Sequence, residues 1–289
     1  MAADFFGEDA RNGFEQRIEL RSRLWAGRSK HQQIEVLDTV PFGRALVLDG
    51  ALQTTEADEY CYHELLAHVP LLAHPAPRRV LVVGGGDGGT LRHVLQHAVE
   101  RVIQVELDEL VVRVCQEWLP TLAQGAFHDP RAELKIGDGL AYLRDARERF
   151  DVILVDSTDP VGPAEALISE QFFRFAAAAL HPDGMLAIQT GSPLLMRREL
   201  KTAFDRMDRV FPLVATYLGC VPSYPGVLWS FTIGSLRHDP RVARRSPPGE
   251  TRYYTPELHR AAFALPAYLA PRPAKAPHDV PLAVGPILG

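Results

Sequence analysis

From residue 79 to residue 207, short apolar runs alternate with helix-length amphipathic stretches, and few folds accept that order. The runs at 79–83, 101–106, 132–136, 151–155 and 185–190 predict strands. The stretches at 90–97, 109–118, 140–146, 170–180 and 197–207 predict helices, and Ser169 stands where the fourth needs an N-cap. The expected fold is α/β, a doubly wound, Rossmann-like and mostly parallel sheet. Two later runs, 214–218 and 228–233, flank Pro222-Ser-Tyr-Pro-Gly and predict a hairpin that closes the sheet.

Upstream of this region the pattern changes. Residues 1–30 are charged and weakly patterned, whereas 33–38 and 44–50 are short β runs broken by Pro41-Phe-Gly. Leu65, Leu66, Val69 and Leu72 then predict a helix over 58–72, and His74-Pro-Ala-Pro ends it. Three parts are expected: a small β-rich N-terminal domain with its following helix (1–74), a larger Rossmann-like domain (75–270) and a loosely ordered proline-rich tail (271–289). Within the second part, 237–250 reads as a polar linker and 256–263 as a short helix.

Charge and cysteines exclude several classes. A net charge of −5 argues against a nucleic-acid partner, which calls for a basic face. No apolar run reaches the ~18 residues of a membrane span, and the N-terminus, with Asp4, Glu8 and Asp9, lacks the apolar core of a signal peptide. Cys61, Cys115 and Cys220 fit neither a zinc site nor a disulfide framework. The expectation is a metal-free protein in the reducing cytoplasm.

The densest chemistry lies in Phe150-Asp-Val-Ile-Leu-Val-Asp-Ser-Thr-Asp-Pro-Val-Gly-Pro. An apolar strand ends in Asp156 and Asp159, and the prolines and glycine behind them predict a loop rather than a helix. Ligands of open α/β sheets sit beyond the carboxyl ends of strands. An acidic pair there suits a cationic ligand or a general base, or else caps a turn.

A second motif, Val80-Leu-Val-Val-Gly-Gly-Gly-Asp-Gly-Gly-Thr, runs from a strand through a glycine turn into a helix. Gly84, Gly86 and Gly88 allow a tight turn and close approach of a ligand. Glu106 ends the next strand about 20 residues on, where an acid accepts from ribose hydroxyls. Asp87, inside the turn, would repel a pyrophosphate but suits an ammonium or sulfonium group, so an S-adenosyl compound is favoured over a dinucleotide. Asp138, beside Gly139, either accepts from an adenine amino group or caps the helix at 140–146.

Together these segments resemble the polyamine aminopropyltransferase family, of the bacterial spermidine synthase type. The likeness spans roughly residues 25–270 and includes Asp49-Gly-Ala-Leu-Gln-Thr-Thr-Glu, Tyr60-Cys-Tyr-His-Glu, Gly84-Gly-Gly-Asp-Gly-Gly, Val105-Glu-Leu-Asp, Asp138-Gly, Asp156-Ser-Thr-Asp-Pro-Val-Gly-Pro-Ala, Pro222-Ser-Tyr-Pro-Gly and Tyr253-Tyr-Thr-Pro-Glu-Leu-His. It implies transfer of the aminopropyl group of decarboxylated S-adenosylmethionine, a co-substrate, to putrescine, with no prosthetic group. It implies Asp156 as general base and Tyr62 as the residue orienting the attacking amine. For the nucleoside it implies Gln32, Gln53, Gly84, Gly86, Asp87, Glu106, Asp138, Gly139 and Pro163. For the amine it implies His63, Asp87, Asp156, Ser157, Thr158, Asp159 and Tyr224, under a gate running from Asp156 to about Leu167. A homodimer or homotetramer is implied as well. His31, Val227 and Thr190-Gly-Ser-Pro depart from the commonest family pattern, which bears on pocket shape. Cadaverine, agmatine or spermidine remain alternative acceptors. An S-adenosylmethionine methyltransferase and an inactive polyamine- or nucleoside-binding protein are the rival classes.

Overall fold

The computed structural model describes residues 3–10, 13–159 and 162–269. Five strands form an antiparallel N-terminal meander: β1 (Asp4–Asp9), β2 (Glu15–Arg28), β3 (Gln33–Thr39), β4 (Gly43–Leu48) and β5 (Ala51–Thr55). Helix α1 (Glu59–Ala73) leads into β6 (Arg79–Gly84), α2 (Gly89–Leu95), β7 (Arg101–Glu106), α3 (Glu109–Trp118), α4 (Pro120–Ala123), β8 (Ala132–Ile136), α5 (Gly139–Arg144) and β9 (Phe150–Asp156). Then come α6 (Glu170–Ala179), β10 (Leu180–Gly191), α7 (Arg197–Asp208), β11 (Leu213–Cys220), β12 (Leu228–Ser235) and α8 (Pro256–Ala262).

The second sheet has the order β11-β12-β10-β9-β6-β7-β8. Strands β6 to β10 pair in parallel, and β12 lies antiparallel between β10 and β11. This is the doubly wound, Rossmann-like, mostly parallel sheet the alternation predicts. The chain runs outward from β6 to β8, then returns to place β9 on the other side of β6. Ligands bind at such a switch, beyond the carboxyl ends of the two central strands.

The continuous apolar runs have a simple cause. Side chains of a strand point alternately to opposite faces, and both faces of this sheet are covered. Val80 and Val82 pack with Leu65, Leu66, Val69 and Leu91 of α1 and α2, while Leu81 and Val83 pack with Leu143, Phe172 and Phe173 on the other side. Each fully buried side chain of this kind contributes about 1.5–3 kcal/mol. Ser169 caps α6 as expected, its Oγ accepting from the Phe172 N–H at 3.1 Å.

By its packing α1 goes with the second sheet. The N-terminal sheet docks separately, with Ile34, Val36, Leu46 and Leu48 against Val111, Val114 and Cys115 of α3. The expected tail, 271–289, lies outside the described residues.

Three features differ from the sequence reading. Residues 1–30 hold two paired strands, β1 and β2. Only Ile18 and Leu20 of β2 are fully buried, and register shifts between Leu20 and Ser22 and between Arg23 and Trp25 interrupt its alternation, so its period-2 signal is lost. The loop beyond Asp159 is not free of helix, because a 3-10 helix covers Gly162–Ile168; proline at the start of a helix has no N–H to satisfy and costs little there. The stretch 237–250, read as a linker, docks on α1: the Arg244 N–H donates to the Leu72 carbonyl at 2.7 Å and its guanidinium to that of Ala73 at 3.2 Å.

Val227 stands in the left-handed region at φ 63°, directly after Gly226 at φ 77°. A β-branched residue is strained there by about 1–2 kcal/mol, and Val227, 45% exposed, recovers little by burial. Val227→Gly is expected to raise stability by about 1 kcal/mol, seen as a higher urea midpoint at unchanged m-value.

Candidate active site

A cavity of about 620 Å³ opens at the carboxyl ends of β6, β7 and β9 and reaches the N-terminal sheet. Its floor is a backbone contact. The Gly85 N–H donates to the Asp156 carbonyl at 2.8 Å, and a Cβ on Gly84 would stand 2.1 Å from that same oxygen. Gly84 has φ 86°, so only glycine suits the turn both by conformation and by space.

Asp156 ends β9 with both carboxylate oxygens bonded. Oδ1 accepts from the Tyr62 hydroxyl at 2.8 Å and Oδ2 from the Thr90 hydroxyl at 2.7 Å. Burial pushes the Asp156 carboxyl up, the Asp87 carboxylate adds to this, and His63, Thr90 and Tyr62 pull it back. Tyr62 is held among the rings of His63, Tyr224 and Phe231, at centroid distances of 5.3, 5.8 and 5.4 Å. Burial, then the Asp156 carboxylate, raise its phenol well above the ordinary value, so it remains a donor at neutral pH.

Asp87 sits in the glycine turn. Its Oδ1 accepts from the Gly89 N–H at 2.6 Å, and its Oδ2 lies 3.6 Å from Nε2 of His63. The other ring nitrogen of His63 is 2.8 Å from Oε2 of Glu59, one helical turn away on α1. Burial alone would discharge this imidazole. The carboxylates of Asp87 and Glu59 outweigh it and hold the ring charged.

At the end of β7, Glu106 is nearly buried, and its Oε1 accepts from the Asp108 N–H at 2.8 Å. Burial, then the Asp108 and Asp156 carboxylates, raise its carboxyl to about 7 against the pull of the Asp108 N–H. A Cβ on Gly86 would lie 3.1 Å from Oε2 of Glu106, so this glycine keeps the carboxylate approachable. Asp138 lines the cavity and also caps α5, accepting from the Ala141 N–H at 2.8 Å. The two roles left open for it in the sequence are compatible. Gly139 packs on Val83, which a Cβ would strike at 2.4 Å.

Gln32 and Gln53 line the cavity from the N-terminal sheet and its loops. Gln32 Nε2 donates to Asp108 at 3.1 Å, and the Gln53 carbonyl accepts from the Tyr224 hydroxyl. Ser157, Thr158 and Asp159 line the same cavity. Tyr224 reaches it from the turn between β11 and β12, its ring 4.6 Å edge-on from that of Trp229. Of Pro163 only the backbone is described, within the 3-10 helix.

Sequence reasoning missed several residues that belong to this arrangement. Thr90 bonds Asp156, yet in the sequence it is only the first residue of a helix. Glu59 and Arg92 support His63, with Arg92 Nη2 donating to Oε1 of Glu59 at 2.6 Å. Gln189 lines the cavity and donates to the Ser157 carbonyl at 3.1 Å. Trp229, read as packing, does pack on Tyr224 and also lines the cavity. Only the i,i+4 spacing of Glu59 and His63 was visible as a signal.

Two family descriptions match this chain: "Spermidine synthase tetramerisation domain" over residues 5–56 and "Spermine/spermidine synthase domain" over residues 59–244. The chain belongs to the spermine/spermidine synthase family. It is 48% identical over 271 residues to a polyamine aminopropyltransferase of Desulforudis audaxviator, covering 93% of this chain and 98% of that one. It is 44% identical over 283 residues to polyamine aminopropyltransferase 1 of Pseudomonas aeruginosa, covering 95% and 99%. Its fold matches a spermidine synthase crystallised with the transition-state analogue AdoDATO, at TM-score 0.88, 39% identity and coverage of 92% and 93%. A spermidine synthase of Thermotoga maritima matches at TM-score 0.85, 37% identity and coverage of 92% of each chain. The enzyme class expected from the resemblance is borne out. Among the described residues, no helix is long and apolar enough to cross a membrane.

Glu106 gives the site a pH dependence. A hydroxyl that donates to Glu106 bonds the ionised carboxylate, and a charge-assisted bond of this kind is worth about 1.5–3 kcal/mol. Acid below about 7 protonates Glu106 and removes that acceptor. Methylthioadenosine is expected to bind several-fold tighter at pH 8 than at pH 6 by calorimetry, and Glu106→Gln is expected to weaken binding and flatten the dependence.

Proposed function

We propose that this enzyme transfers the aminopropyl group of decarboxylated S-adenosylmethionine to putrescine, releasing spermidine and methylthioadenosine. The observation that carries the reading is the convergence of Asp87, His63 and Asp156, whose carboxylate oxygens and ring nitrogen lie within 4.8 Å of one another in the cavity that Glu106 also lines. Two anionic groups there suit two cationic groups meeting at one carbon. Gln32, Gln53, Gly84, Gly86, Glu106, Asp138, Gly139 and Pro163 hold the nucleoside in this reading. Asp87 takes the aminopropyl ammonium, and His63, Ser157, Thr158, Asp159 and Tyr224 line the amine channel.

The chemistry needs no acid for the leaving group. The amine nitrogen attacks the carbon on the sulfonium, the C–S bond breaks, and sulfur leaves as a neutral thioether. The amine is the obstacle. With a pKa near that of lysine, about 10.4, its deprotonation at pH 7 costs roughly 4–5 kcal/mol. The cationic sulfonium and a dry pocket lower that cost. Asp156 orients the amine and receives its proton, and the Tyr62 hydroxyl fixes the carboxylate.

The methyltransferase reading would set a methionine carboxylate against Asp87, which disfavours it. The N-terminal sheet coincides with the family's tetramerisation domain, which supports a homo-oligomer and favours the tetramer over the dimer. The free cysteines fit a cytoplasmic enzyme.

With decarboxylated S-adenosylmethionine and a panel of diamines, methylthioadenosine release is expected to be fastest with putrescine and to need no added metal. Asp156→Asn is expected to lower kcat by about 10²–10⁴, and Asp159→Asn to raise the KM for the amine more than it lowers kcat. Release only with another amine would change the acceptor. A methylated product would replace the reading.

A further inference from the structure

Buried histidines on α1, on α2 and just beyond α2 supply an internal comparison. Burial drives His68 and His97 below the ordinary imidazole range, and His93 as well despite the nearby Glu59 carboxylate. His63 is as buried as these three and stands on the same helix as His68. It alone among them lies between two carboxylates, 2.8 Å from Glu59 and 3.6 Å from Asp87. Its ring also lies flat against the glycine turn, since a Cβ on Gly89 would stand 2.3 Å from it. The ring therefore has one place to sit, fixed on one side by backbone and on the other by Glu59.

Glu59 is itself fixed. It is 6% exposed, and Arg92 donates to its Oε1 at 2.6 Å while His63 occupies Oε2. His93 Nε2 approaches Oε2 at 3.7 Å. Nearby, Glu64, His68 and His93 also bring donor atoms within 4.8 Å of one another. The cation serving that corner is the Arg92 guanidinium, whose Nη2 is 3.0 Å from His93 Nε2.

Resting on the aminopropyl-transfer reading, we propose that Glu59 is a positioning residue of the active site: through His63 it lets Asp87 and Asp156 stand as neighbouring carboxylates in a buried pocket. Two carboxylates this close repel, and in a dry cavity one of them takes up a proton. Such a site would lose either the anchor for the aminopropyl ammonium or the proton acceptor for the amine. An imidazolium within 4.8 Å of both removes that conflict before the cationic substrates arrive. The charged or titratable groups that face His63 are Glu59 and Tyr62 on α1, Asp87 in the glycine turn, Arg92 and His93 on α2, and Asp156 at the end of β9. Without Glu59, burial acts on His63 as it does on His68 and His97, the ring turns neutral, and the repulsion between the Asp87 and Asp156 carboxylates is left uncompensated.

Two measurements test this. In 15N-histidine-labelled wild-type protein without substrate, His63 is expected to show imidazolium shifts on both ring nitrogens at pH 7.5, whereas His68 and His97 show neutral tautomers. This readout is independent of any enzymatic activity, so its failure and a failure of the aminopropyltransferase reading are separate results. In Glu59→Gln, which keeps the shape of the side chain, KM for decarboxylated S-adenosylmethionine is expected to rise about tenfold with a smaller fall in kcat. The acid limb of the kcat/KM profile is expected to move up by about one pH unit. A neutral His63 in the wild-type protein overturns the proposal, as does a folded Glu59→Gln enzyme with an unchanged profile. If the variant does not fold, the nitrogen shifts decide alone.

Discussion

The contact between the glycine turn and the end of β9 is the constraint on which the rest of the site depends. The Asp156 carbonyl accepts the Gly85 N–H, and nothing larger than hydrogen fits on Gly84 beside it. That closeness follows from the sheet order, since the parallel pairing of β6 and β9 sets Gly84 opposite Asp156. Once these two strand ends touch, Asp87 and Thr90 from the turn and its helix reach the same carboxylate cluster as Asp156. Loops built on strand ends of a rigid, doubly covered sheet hold such geometry better than free loops do.

Electrostatics then decides what the cavity accepts. Asp87, Asp156 and Glu106 all line one pocket, and burial pushes the Asp156 and Glu106 carboxyls up. The protein offsets this with the Tyr62 and Thr90 hydroxyls, backbone N–H groups and the His63 ring rather than with a lysine or arginine at the centre. A pocket arranged in this way has an unmet preference for cations. A sulfonium and an amine satisfy it, and a phosphate or carboxylate does not.

Much of this was legible in the sequence. The strands of the second sheet, both hairpin strands and the Ser169 cap read directly, because covered strands are continuous apolar runs and capping chemistry is local. The glycine turn with Asp87, the Glu106 position and the Asp156–Asp159 exit were legible for the same reason. Strands β1 and β2 were not, since a half-exposed ribbon with two register shifts keeps no clean alternation. Glu59 left only its i,i+4 spacing to His63 as a signal. Thr90, Arg92 and Gln189 were not legible: their roles arise from contacts between elements far apart in the chain, and as residue types they are ordinary helix or strand members. Asp138 shows the opposite case, where the side chain that caps α5 also lines the cavity, so the sequence alone could not choose between its two readings.

The most direct measurement is a crystal structure of the protein with methylthioadenosine and putrescine bound together. The account predicts the ribose hydroxyls on Glu106 and one amine nitrogen within about 3 Å of an Asp156 carboxylate oxygen, facing the carbon side of the sulfur. An amine held away from Asp156, or a nucleoside that leaves Glu106 untouched, would contradict it.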